Sequence, residues 1–334
     1  MEQVPGNLEP KLPRLFVVVL NWNGIEDLLE CLDSVKKSTY KNEIIVVDNG
    51  STDDSVAILA TQFPDVMIIE TGKNLGFGAN NLGISQALRY GADYVFLLNN
   101  DTWVDPKCFQ QLIQVAEKQL EVGILSPRIC HYSDPEVIWY DGGKLERING
   151  FWKQRHINEE SLVKSVGGEI CEVDYVCGCA MLIRRRVIEK IGGLDAHFFM
   201  YWEDVDYSLR ARRSGFQLLQ VPSALVLHKI SQSIGGSENP DAYYYMQRNC
   251  YFVSSKGVRV LNRLAMLNRN IHNCFWQYCA LMENGKIDHA CAVAHAAWDC
   301  LIGRGGKRRG KVPRLILESL EKRRFQGKQL NQMS

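Results

Sequence analysis

The sequence predicts an α/β protein with a mostly parallel central sheet flanked by helices, followed by a helical C-terminal region. Two observations carry this. Short apolar runs alternate with helical patterns through the first half of the chain. Those runs are continuously apolar, as expected of strands covered on both faces. At 334 residues, 46% of them apolar, the chain can also bury a sizeable core.

Residues 15–20 (LFVVVL) read as the first strand. Residues 25–37 follow as a helix with Leu28, Leu29, Leu32 and Val35 on one face. Residues 44–47 form the second strand, and Ser51, Thr52, Asp53 and Asp54 offer N-cap side chains to a helix over 55–62. Residues 66–69 are the third strand, 77–90 a helix and 94–98 the fourth strand. Pro106 opens a helix over 106–119. Beyond Gly123 the pattern changes. The stretch from Trp139 to Gly143 and the pair Asn149 and Gly150 are rich in turns. Residues 174–183 read as a long strand, 203–214 as a helix ended by Gly215, and 217–221 and 224–227 as short strands around Pro222. From about Tyr243 onward the chain reads as helical. The expected division is a flexible start over 1–12, an α/β domain over 13–240 and a helical region over 241–334.

Composition narrows the function. A net charge of +1 argues against nucleic-acid binding. No apolar run is long enough to span a bilayer. Residues 1–13 are polar and contain proline, unlike a signal peptide, so a cytoplasmic protein is expected. Eleven cysteines, an odd number without zinc-site spacing, read as reduced thiols. The basic loop over 304–311 reads either as a solvated linker or as a contact with an anionic membrane surface.

Four strand ends run into polar clusters: Asn21 to Gly24, Asp48 to Asp53, Thr71 to Asn80 and Asn99 to Thr102. Sites in parallel sheets lie at the carboxyl ends of the strands, so four such clusters in order predict a ligand site. Asp48 can accept hydrogen bonds from a base or ribose, or cap the next helix. Gly72, Gly76 and Gly78 allow close backbone approach, but their spacing fits neither a phosphate loop nor a dinucleotide fingerprint. Asp101 can ligate a divalent cation that holds phosphate oxygens, with His228 as a candidate partner. Glu203, Asp204 and Asp206 suit the positive end of a helix, and one of them could act as a general base if burial tunes its pKa. Asp204 and Asp206 point to different helix faces and should have different jobs, one facing an acceptor and the other anchored by Arg210 or another cation.

Residues 17–23 (VVVLNWN), 46–53 (VVDNGSTD), 74–80 (NLGFGAN), 96–101 (FLLNND), 192–195 (GGLD) and 203–206 (EDVD) together resemble family 2 glycosyltransferases with the GT-A fold. The resemblance covers about residues 15–251 and is nearest to the rhamnosyltransferase-like branch acting on surface polysaccharide. It implies a Rossmann-like sheet and an inverting transfer from a nucleotide-diphosphate sugar, dTDP-rhamnose or a UDP-sugar, to a glycan or lipid-linked acceptor. It implies that Asp48 binds the nucleotide base, with Asn21, Asn23, Asn49, Asn74, Gly78 and Asn100 completing the donor site. Asn99 stands where the family has the first aspartate of its metal motif, which leaves Asp101 and His228 to hold Mg2+ or Mn2+. Asp204 corresponds to the general base. Trp139, Gly178, Glu203, Asp206 and Arg248 correspond to positions near the donor sugar or acceptor. Separately from the resemblance, residues 304–311 and the Trp-containing helices make the C-terminal region the expected place of any peripheral membrane contact. A nucleotidyltransferase is the alternative enzyme, but the first strand ends in Asn21, Trp22, Asn23 and Gly24 instead of a glycine-rich basic loop. A non-catalytic nucleotide-sugar-binding protein is disfavoured by the presence of both Asp101 and Asp204.

Overall fold

The computed structural model describes residues 12–166, 168–230 and 239–309. The expected flexible start therefore lies outside the described residues except for Leu12, as do residues 310–334.

The chain runs β1 (Leu15–Asn21), α1 (Ile25–Lys36), β2 (Asn42–Asp48), α2 (Ser55–Gln62) and β3 (Met67–Glu70). A 3-10 turn, Phe77–Ala79, leads into α3 (Asn80–Arg89). Then come β4 (Tyr94–Asn99), β5 (Thr102–Val104), α4 (Cys108–Lys118), β6 (Val122–His131) and β7 (Ile138–Tyr140). The hairpin β8 (Gly143–Ile148) and β9 (Phe151–His156) precedes β10 (Cys171–Glu172), β11 (Ala180–Arg184) and α5 (Arg185–Ile191). The chain continues through α6 (Glu203–Arg213), β12 (Gln217–His228), α7 (Pro240–Ser255), α8 (Val260–Glu283) and α9 (Ile287–Leu301).

The main sheet has the order β10-β12-β6-β11-β4-β1-β2-β3, with β5 on β12 and β7 on β6. Strands β3, β2, β1 and β4 are parallel. Strand β11 runs antiparallel between β4 and β6, and β12 runs parallel to β6. The chain steps from β1 outward through β2 to β3 and returns to the other side of β1 as β4. The crevice between the carboxyl ends of β1 and β4 is thus the switch point where α/β sheets bind ligands.

Strand alternation explains the two-faced core. Leu15, Val17 and Val19 pack with Leu28, Leu32 and Val35 of α1 and Phe109, Leu112 and Ala116 of α4. Phe16 and Val18 face the other way, against Ile84 and Ala87 of α3. The five helical and strand segments expected before residue 77 all form, within a few residues of their predicted bounds.

Beyond β4 the sequence reading needs correction. The run 174–183 is not one strand: β11 begins only at Ala180. Side chains take the backbone N–H groups of the preceding residues. Val176 N donates to Ser208 Oγ (3.1 Å), Cys177 N to the Tyr140 hydroxyl (3.1 Å) and Gly178 N to the Asp204 carboxylate (3.0 Å). The two strands expected around Pro222 are one strand, because a register shift between Val221 and Leu225 absorbs the proline. Strand β6 escaped notice because Gly123, Ser126, Pro127 and Arg128 interrupt its apolar pattern. All eleven cysteines are free thiols. Among the described residues, no helix is long and apolar enough to cross a membrane.

Candidate active site

At the switch point, Asn21 closes β1 and donates from Nδ2 to Asp48 Oδ1 and Ser51 Oγ, both at 3.3 Å. Asn100, just past β4, donates to Asn21 Oδ1 at 2.9 Å. Asp48 also accepts from Ser51 N (3.0 Å), and Asn23 Oδ1 accepts from Thr52 N (2.7 Å). The ends of β1, β2 and β4 are therefore tied into one polar edge.

Asn49 and Asn74 hold the neighbouring loop together. Asn49 Nδ2 donates to Asn74 Oδ1 (3.2 Å) and Gly76 O (3.1 Å), and Asn49 Oδ1 accepts from Leu75 N (2.9 Å). Gly76 has φ 72°, and a Cβ there would sit 2.1 Å from Phe199 O, so only glycine fits. Gly78 packs on Ala196. Buried Asn49 is thus a loop-building residue, which corrects its expected place as a direct contact.

Asp101 and His228 meet because β5 pairs antiparallel with the end of β12, setting Thr102 opposite His228. His228 Nε2 lies 3.2 Å from Asp101 Oδ2, and both side chains are buried. The other ring nitrogen of His228, Nδ1, is buried without a hydrogen-bond partner. Two cis ligands at about 2.1 Å from one cation stand about 3 Å apart. The pair thus fits a shared divalent ion. No group of three His, Cys, Asp or Glu assembles among the described residues, so further ligands would come from water and phosphate oxygens.

The turn at Gly178 links this corner to the acidic run. Cys179 O accepts from Asn99 N (2.9 Å), while Gly178 N donates to Asp204 Oδ2 (3.0 Å). Asp204 Oδ1 accepts from Val205 N at 2.7 Å. Burial pushes the Asp204 carboxyl above its ordinary range, against the pull of these two backbone donors. Burial and the adjacent Asp204 hold Glu203 well above its ordinary value, and its Oε2 has no hydrogen-bond partner. Asp206 behaves differently. It is 2% exposed, bound by Arg210 Nε (2.9 Å) and Lys256 Nζ (2.7 Å). It anchors the helix and does not line the site.

Arg248 also needs correction. It is 0% exposed, and each of its three nitrogens donates inward. Nε reaches Asn249 Oδ1 (2.8 Å), Nη1 reaches the Tyr244 hydroxyl (2.9 Å) and Gly306 O (2.8 Å), and Nη2 reaches Phe198 O (2.8 Å). Asn249 Nδ2 donates to Phe198 O, Met200 O and Tyr201 O at 2.7–3.0 Å. These bonds hold a strained loop: Phe199, Tyr201 and Trp202 all have positive φ, 65°, 62° and 73°. Asp204 follows that loop directly.

Residues 16–192, just over half of the chain, match the family described as glycosyl transferase family 2. The chain belongs to this family. It is 29% identical over 239 residues to the N-acetylglucosaminyl-diphospho-decaprenol L-rhamnosyltransferase of Mycobacterium tuberculosis, covering 66% of this chain and 77% of that protein. Its fold is similar to that of a mannosyltransferase from Pyrobaculum calidifontis solved with GDP-Man and Mn2+, at TM-score 0.53 and 15% identity over 90% of this chain and 91% of that one. It is also similar to GalNAc-T7 solved with UDP, GalNAc and Mn2+, at TM-score 0.56 and 17% identity. That match covers 78% of this chain but only 55% of the longer protein. The expected GT-A fold is therefore present, and the chain is a glycosyltransferase.

In this family 2 glycosyltransferase, distant segments bring further side chains to the site. Trp139 stacks edge-on against His228, ring centroids 4.6 Å apart, and against His156 at 5.7 Å. Tyr175 stands 6.3 Å from His156, and its buried hydroxyl has no hydrogen-bond partner. His156 also bears electrostatically on Asp204. His156 and Tyr175 escaped sequence reading because they follow no strand-end cluster. Register on the β8–β9 hairpin brings His156 in, as Gly143 pairs with His156 and Gly143 with Tyr175. The basic loop is not a solvated linker over its described residues. Arg308 pairs with Asp241 (2.6 Å), and Gly306 N donates to His197 O (2.6 Å). Lys311 of that loop lies outside the described residues, as do residues 231–233 of the segment after His228.

Proposed function

We propose that this enzyme transfers a sugar from a nucleotide-diphosphate donor to an acceptor hydroxyl with inversion, Asp204 serving as general base. One observation carries the reading: the Gly178 turn joins the Asp101–His228 pair to a half-buried Asp204 at the carboxyl edge of the sheet. Asp48 would hold the nucleotide through the remaining lone pairs of its carboxylate, with the fully buried Asn21 orienting it. Asp101 and His228 would hold Mg2+ or Mn2+, which would offset charge on the diphosphate leaving group. Asp204, with its raised pKa, would take the proton of the acceptor hydroxyl as that oxygen attacks the anomeric carbon from the opposite face. Trp139, His156 and Tyr175 offer an aromatic wall for a sugar ring.

The rhamnosyltransferase relative supports dTDP-rhamnose as the first donor to try and a lipid-linked diphosphate acceptor in glycan biosynthesis, UDP-sugars coming next. Residues 13–240 would form the catalytic unit. Within 241–334, α7 would brace the Asp204 loop through Arg248 and Asn249. A donor screen that measures nucleoside diphosphate with and without Mg2+ or Mn2+ tests the reading. Release of nucleoside diphosphate with a new glycoside is expected. Pyrophosphate release would instead assign the chain a nucleotidyl transfer.

A further inference from the structure

Two neighbouring elements carry apolar side chains outward in a basic setting. At the start of α8, Val260, Leu261 and Leu264 are 74%, 81% and 58% exposed. All residues from 259 to 265 are exposed, so this helix end projects from the body. Arg259 and Arg263 stand among them, and the chain carries no acidic residue from 257 to 282. Further along the same helix, Trp276 is 59% exposed. The tip of the β8–β9 hairpin lies alongside. Arg269 Nη1 donates to Asn149 O at 2.5 Å, and Ile148 is exposed at that tip. The hairpin adds Lys144, Arg147, Lys153 and Arg155 against a single acid, Glu146. In a chain of net charge +1, this is a strong local excess of positive charge.

We propose that the start of α8 and the tip of the β8–β9 hairpin form a surface that docks on an anionic lipid bilayer. Exposed aliphatic and tryptophan side chains flanked by arginines match the interfacial zone of a membrane, where the apolar groups enter the acyl boundary and the cations meet headgroups. A two-fold contact between copies of this chain fits less well, because it would set Arg259 and Arg263 against their own images. The hairpin also connects the two functions in space. His156 stands at its site end, and Ile148 stands at its tip, about 17 Å away by strand rise.

The test is co-sedimentation of the full chain with vesicles of phosphatidylcholine alone or mixed with phosphatidylglycerol, at low and high salt. Wild type should pellet with the anionic vesicles only, and less so at high salt. The pair Leu261→Asp and Leu264→Asp should weaken binding at least tenfold. The pair Arg259→Gln and Arg263→Gln should weaken it roughly fivefold per arginine. Circular dichroism checks that each variant folds, and the arginine pair decides the matter if the leucine pair does not. Absence of pelleting with anionic vesicles, or pelleting unchanged in the variants, overturns the proposal. So does a wild-type dimer that Leu261→Asp dissociates while vesicles are ignored. Sugar transfer is not read in this assay, so its failure leaves the reading of the active site intact.

Discussion

At the residue scale, the two acids that open α6 differ in what holds them. Asp204 accepts from two backbone N–H groups, yet burial still raises its pKa. A base acts only when deprotonated, so activity should fall as pH drops through that raised value. The acid limb of kcat/KM should therefore lie above the ordinary aspartate value of about 3.9. A pH profile with its limb at or below that value would remove Asp204 from the role. Glu203 has its pKa raised by burial and by Asp204, so the folded state favours its protonated form. The wild type should lose stability as pH rises above the unfolded glutamate value of about 4.3, whereas Glu203→Gln should not. Urea midpoints at acid and neutral pH should show the variant gaining on wild type toward neutrality. The acidic run was legible in the sequence because three carboxylates in four residues stand out, and Arg210, four residues after Asp206, was legible as its partner. Lys256, which binds Asp206 from fifty residues away, was not.

At the element scale, the loop before α6 holds three non-glycine residues in the left-handed region, and α7 fixes it. Arg248→Met would leave Phe198 O, Gly306 O and the Asn249 side chain without that donor, at a cost of about 2–4 kcal/mol by urea unfolding. Asn249→Ala should lower kcat more than it raises the donor Kd, because it releases the loop that positions Asp204 without touching the nucleotide edge. Equal changes in both, from paired kinetics and calorimetry, would tell against a positioning role. The first four strands were readable because each contains an uninterrupted apolar run. The later ones were readable only in part. Proline and polar residues sit inside β6 and β12, and in 174–179 the side chains of Ser208, Tyr140 and Asp204 occupy the N–H groups a ladder would need. That same displacement makes the Gly178 turn, a link that only tertiary structure supplies.

At the scale of the whole molecule, the site draws on strand ends from 21 to 228 and is braced by α7. Family membership and the fold fix the class of chemistry, and the Asp101–His228 pair supports a divalent cation. EDTA should abolish transfer and Mn2+ or Mg2+ should restore it, while His228→Ala should raise the metal concentration needed for half-maximal rate by roughly 10–100-fold. The most direct test of the central claim compares wild type with Asp204→Asn for nucleoside diphosphate release in the presence of acceptor, alongside donor binding by calorimetry. The account predicts a fall in turnover of roughly 10²–10⁴-fold with donor affinity nearly unchanged. A variant that keeps most of its turnover would contradict it.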